Sequence, residues 1–303
     1  MDRGITYIAF GDVYRQLAVQ SAERISELGD WPICLITNSK THIRDELFKH
    51  IKIVQPESVW RKHRYGGGIK PEFFGESPFE RTLYLDTDTY VVDGDAIDDL
   101  FALLDEYELA AAHDTVRKLE HEYGTVPDTL ETSPDAFPWL NTGVVAYRKS
   151  DSVLDLFHKW RWIYHVQSTR IEGINDQAAF CEALYYNDVI HTVLPPEYNH
   201  RISHEQTLTG EVKILHGPAD DYPAIADYIN EYVRNRAENV ESILPYQSIS
   251  YYVFWNEGHV RSIPVRLTYP IRTELEYGLR RARQLATQTK NKAASGIETV
   301  LSR

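Results

Sequence analysis

The sequence is poor in cysteine and in long apolar runs. Its 303 residues include two cysteines, Cys34 and Cys181, which lie far apart in apolar segments, so we expect buried free thiols and no zinc cluster. No stretch of about 18 apolar residues is present that would span a bilayer. The N-terminal segment lacks the apolar core and cleavage site of a signal peptide, and a cytoplasmic protein is the expectation.

Basic residues are also scarce. The chain has 32 lysines and arginines against 45 aspartates and glutamates, which gives a formal net charge of −13 at pH 7. Nonspecific binding to nucleic acid needs a basic surface, so no nucleic-acid partner is expected. Basic charge gathers instead in residues 266–303, which carry eight basic and three acidic side chains.

The first part of the chain alternates between two kinds of segment. Residues 5–10, 32–37 and 51–54 have the composition of buried strands, while residues 13–28 repeat apolar side chains at helical spacing and a short helix is expected around 42–50. Strands that alternate with helices predict a sheet covered by helices on its faces. The expected fold class is α/β, with a mixed, mostly parallel sheet.

The clearest chemical signal is a pair of carboxylates at the end of an apolar strand. The predicted strand, TLYLD, ends at Asp86, and Thr87 and Asp88 follow directly. In open α/β sheets, ligands bind at the carboxyl ends of the strands. Two carboxylates there suit Mg²⁺ or Mn²⁺, and such an ion would neutralise a diphosphate. An Asp-x-Asp pair alone is also common on surfaces, but at the end of a core strand it costs free energy unless something pairs with it.

Three further polar motifs stand at the ends of predicted elements. They are Asn141-Thr142-Gly143 before an apolar strand, Asp176-Gln177 at the start of a helix and His216-Gly217 at the end of a strand. Taken singly, the first also fits a plain turn and the second a helix cap. A lone histidine is usually structural, but one at a strand end before glycine is well placed to be a ligand.

Together with Lys70, these motifs resemble a known family. The order of a lysine, Asp-x-Asp, Asn-Thr-Gly, Asp-Gln and His-Gly is similar to that of GT-A fold glycosyltransferases of glycosyltransferase family 8, the glycogenin and bacterial galactosyltransferase-like enzymes. Lys70 stands sixteen residues before Asp86, and residues 90–101, YVVDGDAIDDLF, look like the family's segment after the metal motif. The resemblance covers residues 5 to about 220.

The resemblance implies a metal-dependent enzyme that moves a sugar from a nucleotide-sugar donor, with UDP as the expected nucleotide, to an acceptor hydroxyl. It implies that Asp86, Asp88 and His216 bind Mn²⁺ or Mg²⁺ and that Asp86 also contacts the ribose. Lys70 would contact the donor diphosphate or the sugar. Retention at the anomeric carbon is implied as well, whereas an inverting enzyme would need a carboxylate base, for which Asp176 is available.

The remaining site residues are implied for the donor. Asn141, Asp176 and Gln177 would bind hydroxyls of the transferred sugar, and the predicted catalytic residues are Asp176, Gln177 and Lys70. The other predicted donor-binding residues are Ala9, Phe10, Gly11 and Tyr14 after the first strand, and Thr87, Thr142 and Gly143.

The chain departs from the family's pattern at two places. Residues 114–138 form a connection longer than that of glycogenin, and we expect it to shape the acceptor site. After His216 the sequence continues Gly-Pro-Ala, without a lysine-bearing tail. The acceptor stays open between a glycan, a small molecule and a lipid-linked sugar.

We expect a catalytic domain over residues 1–220 and a helical C-terminal extension over residues 221–303. In the basic tail, Ile271, Leu275 and Leu279 fall on one face of a predicted helix, with arginines largely on the others. Such a helix fits peripheral contact with an anionic membrane surface. The same stripe also fits packing on the protein's own core.

Two rival functions fit the same fold class. A nucleotidyltransferase that makes nucleotide sugars shares the α/β core, but residues 5–14 lack its glycine-rich, basic signature. A non-catalytic nucleotide-sugar-binding protein would also keep the fold, although the intact Asp86, Asp88 and His216 argue against it. Donor hydrolysis with and without Mn²⁺ separates the three functions.

Overall fold

Twelve strands and six α-helices are present in the described part of the chain. The computed structural model describes residues 2–55, 69–114, 133–170, 176–204, 206–238, 250–256 and 259–265. The strands are β1 (Arg3–Ala9), β2 (Ile33–Thr37), β3 (His50–Ile53), β4 (Arg81–Leu85), β5 (Thr89–Val91), β6 (Leu109–His113), β7 (Leu140–Arg148), β8 (His191–Leu194), β9 (His200–Arg201), β10 (Ile214–His216), β11 (Ser250–Asn256) and β12 (His259–Val265). The helices are α1 (Asp12–Leu28), α2 (Lys70–Phe73), α3 (Asp95–Leu103), α4 (Asp151–Arg170), α5 (Asp176–Tyr185) and α6 (Tyr222–Glu238).

Seven of the strands form the central sheet, in the order β3-β2-β1-β4-β7-β6-β8. Strands β3, β2, β1 and β4 are parallel to one another, and β6 is parallel to β8. Strand β7 is antiparallel to both β4 and β6. The sheet is therefore mixed and mostly parallel, as the sequence predicts.

Helices cover both faces of this sheet because the strands are apolar on both sides. On one face, Ile25 of α1 and Ile97 of α3 are buried against strand residues such as Leu83. On the other face, α2, α4 and α5 form a second cluster, whose aromatic side chains include Trp160 and Phe180. Cys34 and Cys181 are buried free thiols in this second cluster, as expected.

The connection between β2 and β3 differs from its prediction. The expected helix over residues 42–50 is a single 3₁₀ turn, Asp45–Leu47, and β3 already begins at His50. Ile43, Leu47 and Phe48, which lie in or beside this short turn, all contact the core. A longer helix is therefore not needed to bury the apolar residues of this segment.

A second, three-stranded sheet has the order β5-β10-β9. Strand β10 is antiparallel to β5 and parallel to β9. Helix α6 packs on this sheet, since Ile225 and Ile229 form a buried cluster with Ile202 and Leu215. Strands β5 and β9 have three and two residues, and the sequence pattern does not predict them.

The C-terminal extension is described in part. It begins with α6, and further along the chain β11 and β12 pair antiparallel. The predicted tail helix from Ile271 lies outside the described residues, as does most of the predicted acceptor connection, residues 115–132. No helix within the described ranges is both long and apolar enough to cross a membrane.

Phe74 is at the centre of the aromatic cluster beneath α2. Its ring centroid lies 4.4 Å from that of Tyr84, 5.0 Å from those of Phe157 and Trp160, and 5.6 Å from that of Tyr147. Tyr147 also donates its hydroxyl to the Phe74 carbonyl at 2.7 Å. This packing attaches the segment that follows Lys70 to the central sheet.

We expect Phe74→Ala to lower the free energy of unfolding by about 3–5 kcal/mol, because it leaves a cavity among fully buried rings. Urea denaturation followed by circular dichroism measures this change. Trp162→Ala on α4 is the control, since the Trp162 side chain is 43% exposed and surface substitutions usually change stability by less than about 0.5 kcal/mol. Equal losses in the two variants would contradict the central role of Phe74.

Candidate active site

Asp86 and Asp88 lie in a tight turn that connects β4 of the central sheet to β5 of the three-stranded sheet. Strand β4 ends at Leu85, and the turn is closed by hydrogen bonds from the Thr89 backbone nitrogen (3.2 Å) and hydroxyl (2.7 Å) to the Asp86 carbonyl. Because side chains alternate along a strand, Asp86 lies on the same face as Tyr84, whose hydroxyl donates to Asp86 Oδ1 at 2.7 Å. Thr87 is buried within the turn.

The three-stranded sheet β5-β10-β9 brings His216 to this turn. In the pairing of β10 with β5, His216 is directly opposite Thr89, and the Gly217 nitrogen donates to the Asp88 carbonyl at 3.0 Å. The imidazole lies against Gly143, where a Cβ atom would stand 2.1 Å from His216 Cε1. Glycine at position 143 is therefore required for the histidine to reach the carboxylates.

Asp86, Asp88 and His216 form a candidate metal centre. His216 Nε2 lies 3.6 Å from Asp86 Oδ2 and 3.7 Å from Asp88 Oδ1, and one ligand atom of each residue lies within 4.8 Å of the others. Two carboxylates and one imidazole fit a divalent cation, and oxygen ligands with a single nitrogen suit Mn²⁺. Burial lowers the pKa of His216 although both carboxylates oppose this, so the imidazole favours the neutral form that can bind a metal.

Lys70 lies beside this centre as its cationic neighbour. Its ammonium is 2.8 Å from Asp86 Oδ1 and 3.9 Å from Asp176 Oδ2, and it also contacts the Thr142 hydroxyl at 3.3 Å. Burial would lower the pKa of Lys70, but Asp86, Asp176 and Asp88 together raise it above its ordinary value. Lys70 is therefore a fixed positive charge among three carboxylates.

Asp176 begins α5 and is buried within the same cluster. Desolvation raises its pKa to about 6, with Lys70 opposing the rise and Asp86 adding to it. The Thr142 hydroxyl lies 3.5 Å from Asp176 Oδ2, and Trp160 Nε1 donates to the Asp176 carbonyl at 2.8 Å. A buried carboxylate with a raised pKa next to a candidate metal centre is typical of an active site.

The Asn141 side chain is the centre of a neighbouring hydrogen-bond network. Its Oδ1 accepts from the Gly143 nitrogen (2.8 Å) and from Asn199 Nδ2 (2.9 Å), and its Nδ2 donates to Asp114 Oδ2 (2.8 Å) and Gln177 Oε1 (3.1 Å). These four hydrogen bonds use both donors and both acceptor positions of the amide. The structure therefore brings Asn141 and Gln177 together, with the Asn141 amide fully engaged by the protein.

The residues predicted for the nucleotide lie at the end of β1. Because β1 and β4 are parallel neighbours, the segment after Ala9 reaches the same edge of the sheet as Asp86. The half-buried Phe10 ring stacks on Phe73 with centroids 5.5 Å apart. Gly11 has a φ of 95°, which favours glycine, and precedes α1 and the half-buried Tyr14.

Several polar contacts of the site have no motif in the sequence. Asn199 Oδ1 lies 2.8 Å from His216 Nδ1, and Arg201 Nη1 forms an ion pair with the buried Asp114 Oδ2 at 3.1 Å. The Tyr222 hydroxyl of α6 donates to the Gly217 carbonyl at 3.0 Å. Asn199 and Arg201 reach the site at strand β9, which is too short to give a periodic signal, and Tyr222 reaches it from the start of α6.

Comparisons with known proteins agree with this architecture. The sequence matches no protein-family profile and no curated protein. Among solved structures, an active-site mutant of LgtC is similar at 17% identity and a TM-score of 0.50, over 78% of this chain and 96% of that chain. Mouse xyloside xylosyltransferase 1 (15% identity, 72% and 98% coverage) and the Streptococcus pneumoniae glycosyltransferase GlyE (16%, 81% and 67%) both have TM-scores of 0.45.

At 17% identity, the likeness to LgtC is a likeness of fold. It extends over nearly all of LgtC and includes the mixed central sheet flanked by helices. The chain accordingly has the GT-A fold and resembles family 8 glycosyltransferases in architecture, as its motifs predict.

Proposed function

We propose that this protein is a metal-dependent glycosyltransferase that moves a sugar from a UDP-sugar to an acceptor hydroxyl with retention of the anomeric configuration. The observation that carries the proposal is the convergence of Asp86, Asp88 and His216, with Lys70 at 2.8 Å from Asp86. The GT-A fold supports it. Glycosyl transfer needs a site that stabilises a nucleoside diphosphate as it leaves, and these charges meet that need.

Asp86, Asp88 and His216 would hold the cation, for which we propose Mn²⁺. When bound, the cation supplies positive charge to the diphosphate of the donor. Lys70 adds a second positive charge within hydrogen-bond distance of the Asp86 carboxylate, and we propose that it contacts the same diphosphate. The Phe10–Phe73 pair offers an apolar face at the end of β1, and we propose that this segment, with Gly11 and Tyr14, binds the nucleoside.

The sugar would lie between the cation and the start of α5. Asp176 and Gln177 are buried there, next to Thr142 and Asn141, and carboxylate and amide groups bind sugar hydroxyls well. We propose that Asp176 and Gln177 contact the transferred sugar directly. Asn141 would hold Gln177 in place through its Nδ2 hydrogen bond.

The acceptor would approach from the side of Asp114, the residue directly before the predicted acceptor segment 115–132. The two described residues that flank that segment are held by the fold, since Asp114 pairs with Arg201 and the Ser133 nitrogen donates to Glu182 Oε2 at 2.7 Å. The proposed catalytic domain is residues 1–220, and Tyr222 of the extension contacts it at Gly217. A cytoplasmic location stays a prediction, as does membrane contact through the tail.

Donor turnover tests the function directly. Release of UDP from a panel of UDP-sugars is measured with Mn²⁺, with Mg²⁺ and with EDTA, and the anomeric configuration of the product is read from its proton coupling constant. We expect turnover with at least one donor in Mn²⁺ and none in EDTA. Tight UDP-sugar binding without turnover would indicate a non-catalytic protein, and release of pyrophosphate from UTP and a sugar phosphate would indicate a nucleotidyltransferase.

For the metal centre, we expect Asp88→Asn to lower Mn²⁺-dependent turnover by at least about 100-fold, because it removes an anionic ligand from the site that stabilises the leaving group. The fold should persist, since the Asp88 side chain is 30% exposed. Asp95→Asn, an exposed aspartate at the start of α3, is the matched control and should keep full turnover. Wild-type rates for Asp88→Asn in EDTA would refute the metal centre.

For the lysine, we expect Lys70→Ala to lower kcat/KM for the donor by about 10- to 150-fold, the equivalent of one charge-assisted contact of about 1.5–3 kcal/mol. Steady-state kinetics at saturating Mn²⁺ measure this loss. Lys52→Ala on β3 is the control, because Lys52 pairs with Glu76 in an exposed salt bridge and should not affect turnover. An unchanged kcat/KM in Lys70→Ala would show that Lys70 does not contact the donor.

A further inference from the structure

A chain of side-chain amides connects His216 to the backbone of β7. His216 Nδ1 lies 2.8 Å from Asn199 Oδ1, and Asn199 Nδ2 donates to Asn141 Oδ1 at 2.9 Å. Asn141 Oδ1 also accepts from the Gly143 nitrogen at 2.8 Å. Asn199 is 1% exposed and follows the 3₁₀ turn Pro196–Tyr198, so solvent does not compete for its amide.

The polarity of this chain is fixed at its backbone end. A backbone N–H can only donate, so the Gly143 nitrogen requires an acceptor, and the Asn141 atom that faces it must be the oxygen. The same Asn141 oxygen faces Asn199, so Asn199 must present its NH₂ group to it. The Asn199 oxygen then faces His216 and can only accept, which requires a proton on His216 Nδ1.

The far side of Asn141 enforces the same polarity. Its Nδ2 lies between Asp114 Oδ2 at 2.8 Å and Gln177 Oε1 at 3.1 Å. A carboxylate is an acceptor only, so a flipped Asn141 amide would place oxygen against oxygen at Asp114 and leave the Gly143 nitrogen without its acceptor. Both ends of the Asn141 amide therefore select one orientation.

We infer that Asn199 is a positioning residue that holds the proton of His216 on Nδ1, so that the bare Nε2 faces Asp86 and Asp88 and can bind a divalent cation. The inference rests on the metal centre of the proposed function. It adds a residue outside the recognised motifs and assigns the tautomer on which metal binding depends. The hydrogen bond at one imidazole nitrogen sets which nitrogen carries the metal.

Asn199 is needed because the carboxylates favour the opposite tautomer. Asp86 Oδ2 and Asp88 Oδ1 lie 3.6 and 3.7 Å from Nε2 and would attract a proton there. A proton on Nε2 would occupy the position through which the ring binds a cation. The acceptor on Asn199, with its polarity set through Asn141 by Gly143, opposes that attraction.

The ring itself has little freedom to turn away. The absent side chain of Gly143 leaves the space that the imidazole occupies, and His216 is 8% exposed. Strand pairing with Thr89 fixes the backbone on which the ring stands. Gly143 and Thr89 therefore set the position of the His216 ring, and Asn199 sets its tautomer. A substitution of Asn199 should change the tautomer while the ring keeps its position.

The tautomer is measured by ¹⁵N NMR of imidazole groups in metal-free protein at pH 8, where neutral histidine predominates. The His216 signals are assigned by their loss in His216→Gln. We expect the proton on Nδ1 in the wild type and its shift toward Nε2 in Asn199→Ala. A wild-type proton on Nε2 overturns the inference.

Mn²⁺ affinity, measured by calorimetry without donor, is the second measurement. We expect Asn199→Ala to bind Mn²⁺ about 10- to 100-fold more weakly than the wild type. Asn230→Ala is the matched control: Asn230 is a buried asparagine at the same sheet that hydrogen-bonds Val212, and its variant should lose stability but keep Mn²⁺ affinity. Equal affinities in the wild type and Asn199→Ala would overturn the inference.

The two measurements distinguish this inference from the proposed function. A wild type that carries the Nδ1 proton but binds no Mn²⁺ would refute the metal centre and leave the amide chain intact. A wild type that binds Mn²⁺ with the proton on Nε2 before binding would support the metal centre and refute the role of Asn199.

Discussion

The ammonium group of Lys70 stands between the carboxylates of Asp86 and Asp176, and the arrangement of the site depends on this contact. Carboxylates buried together repel one another and lose hydration, which costs several kcal/mol unless a positive charge offsets it. Lys70 lies 2.8 Å from Asp86 and 3.9 Å from Asp176, and it also contacts Thr142. It thus links α2, the end of β4, the start of β7 and the start of α5.

Much of the fold and the charged part of the site could be predicted, because both are marked by patterns of neighbouring residues in the sequence. The apolar run before Asp86 marks a core strand, and polar motifs at element ends mark the edge where ligands bind. Asn199 and Arg201 could not be predicted, because Asn199 follows a 3₁₀ turn and Arg201 lies in β9, whose two residues are too few for a hydrophobic period to appear. The helix expected over residues 42–50 was wrong because one 3₁₀ turn suffices to bury its apolar side chains.

The direction of β7 explains why the Asn-Thr-Gly motif stands at the start of its strand, whereas the Asp-x-Asp and His-Gly motifs stand at the ends of theirs. Asp86 follows β4 and His216 ends β10, whereas Asn141 and Gly143 stand at the start of β7. Since β7 is antiparallel to β4, with Val144 opposite Leu85, its first residues lie at the edge where β4 ends. The sequence predicts that these motifs form one site. The antiparallel direction of β7 explains how a motif at the start of one strand can lie beside a motif at the end of another.

The pairing of β6 with β7 has a consequence for how such a protein can diversify. The two strands are antiparallel neighbours, with His113 opposite Leu140, so the connection between them starts and ends at the same edge of the sheet, beside Asp114. Lengthening a connection between two paired strands does not change their pairing, and doubling its length adds only about 0.6 kcal/mol of closure cost. Evolution can therefore lengthen or shorten this one segment and present new groups beside the site, while the metal ligands and the core keep their positions.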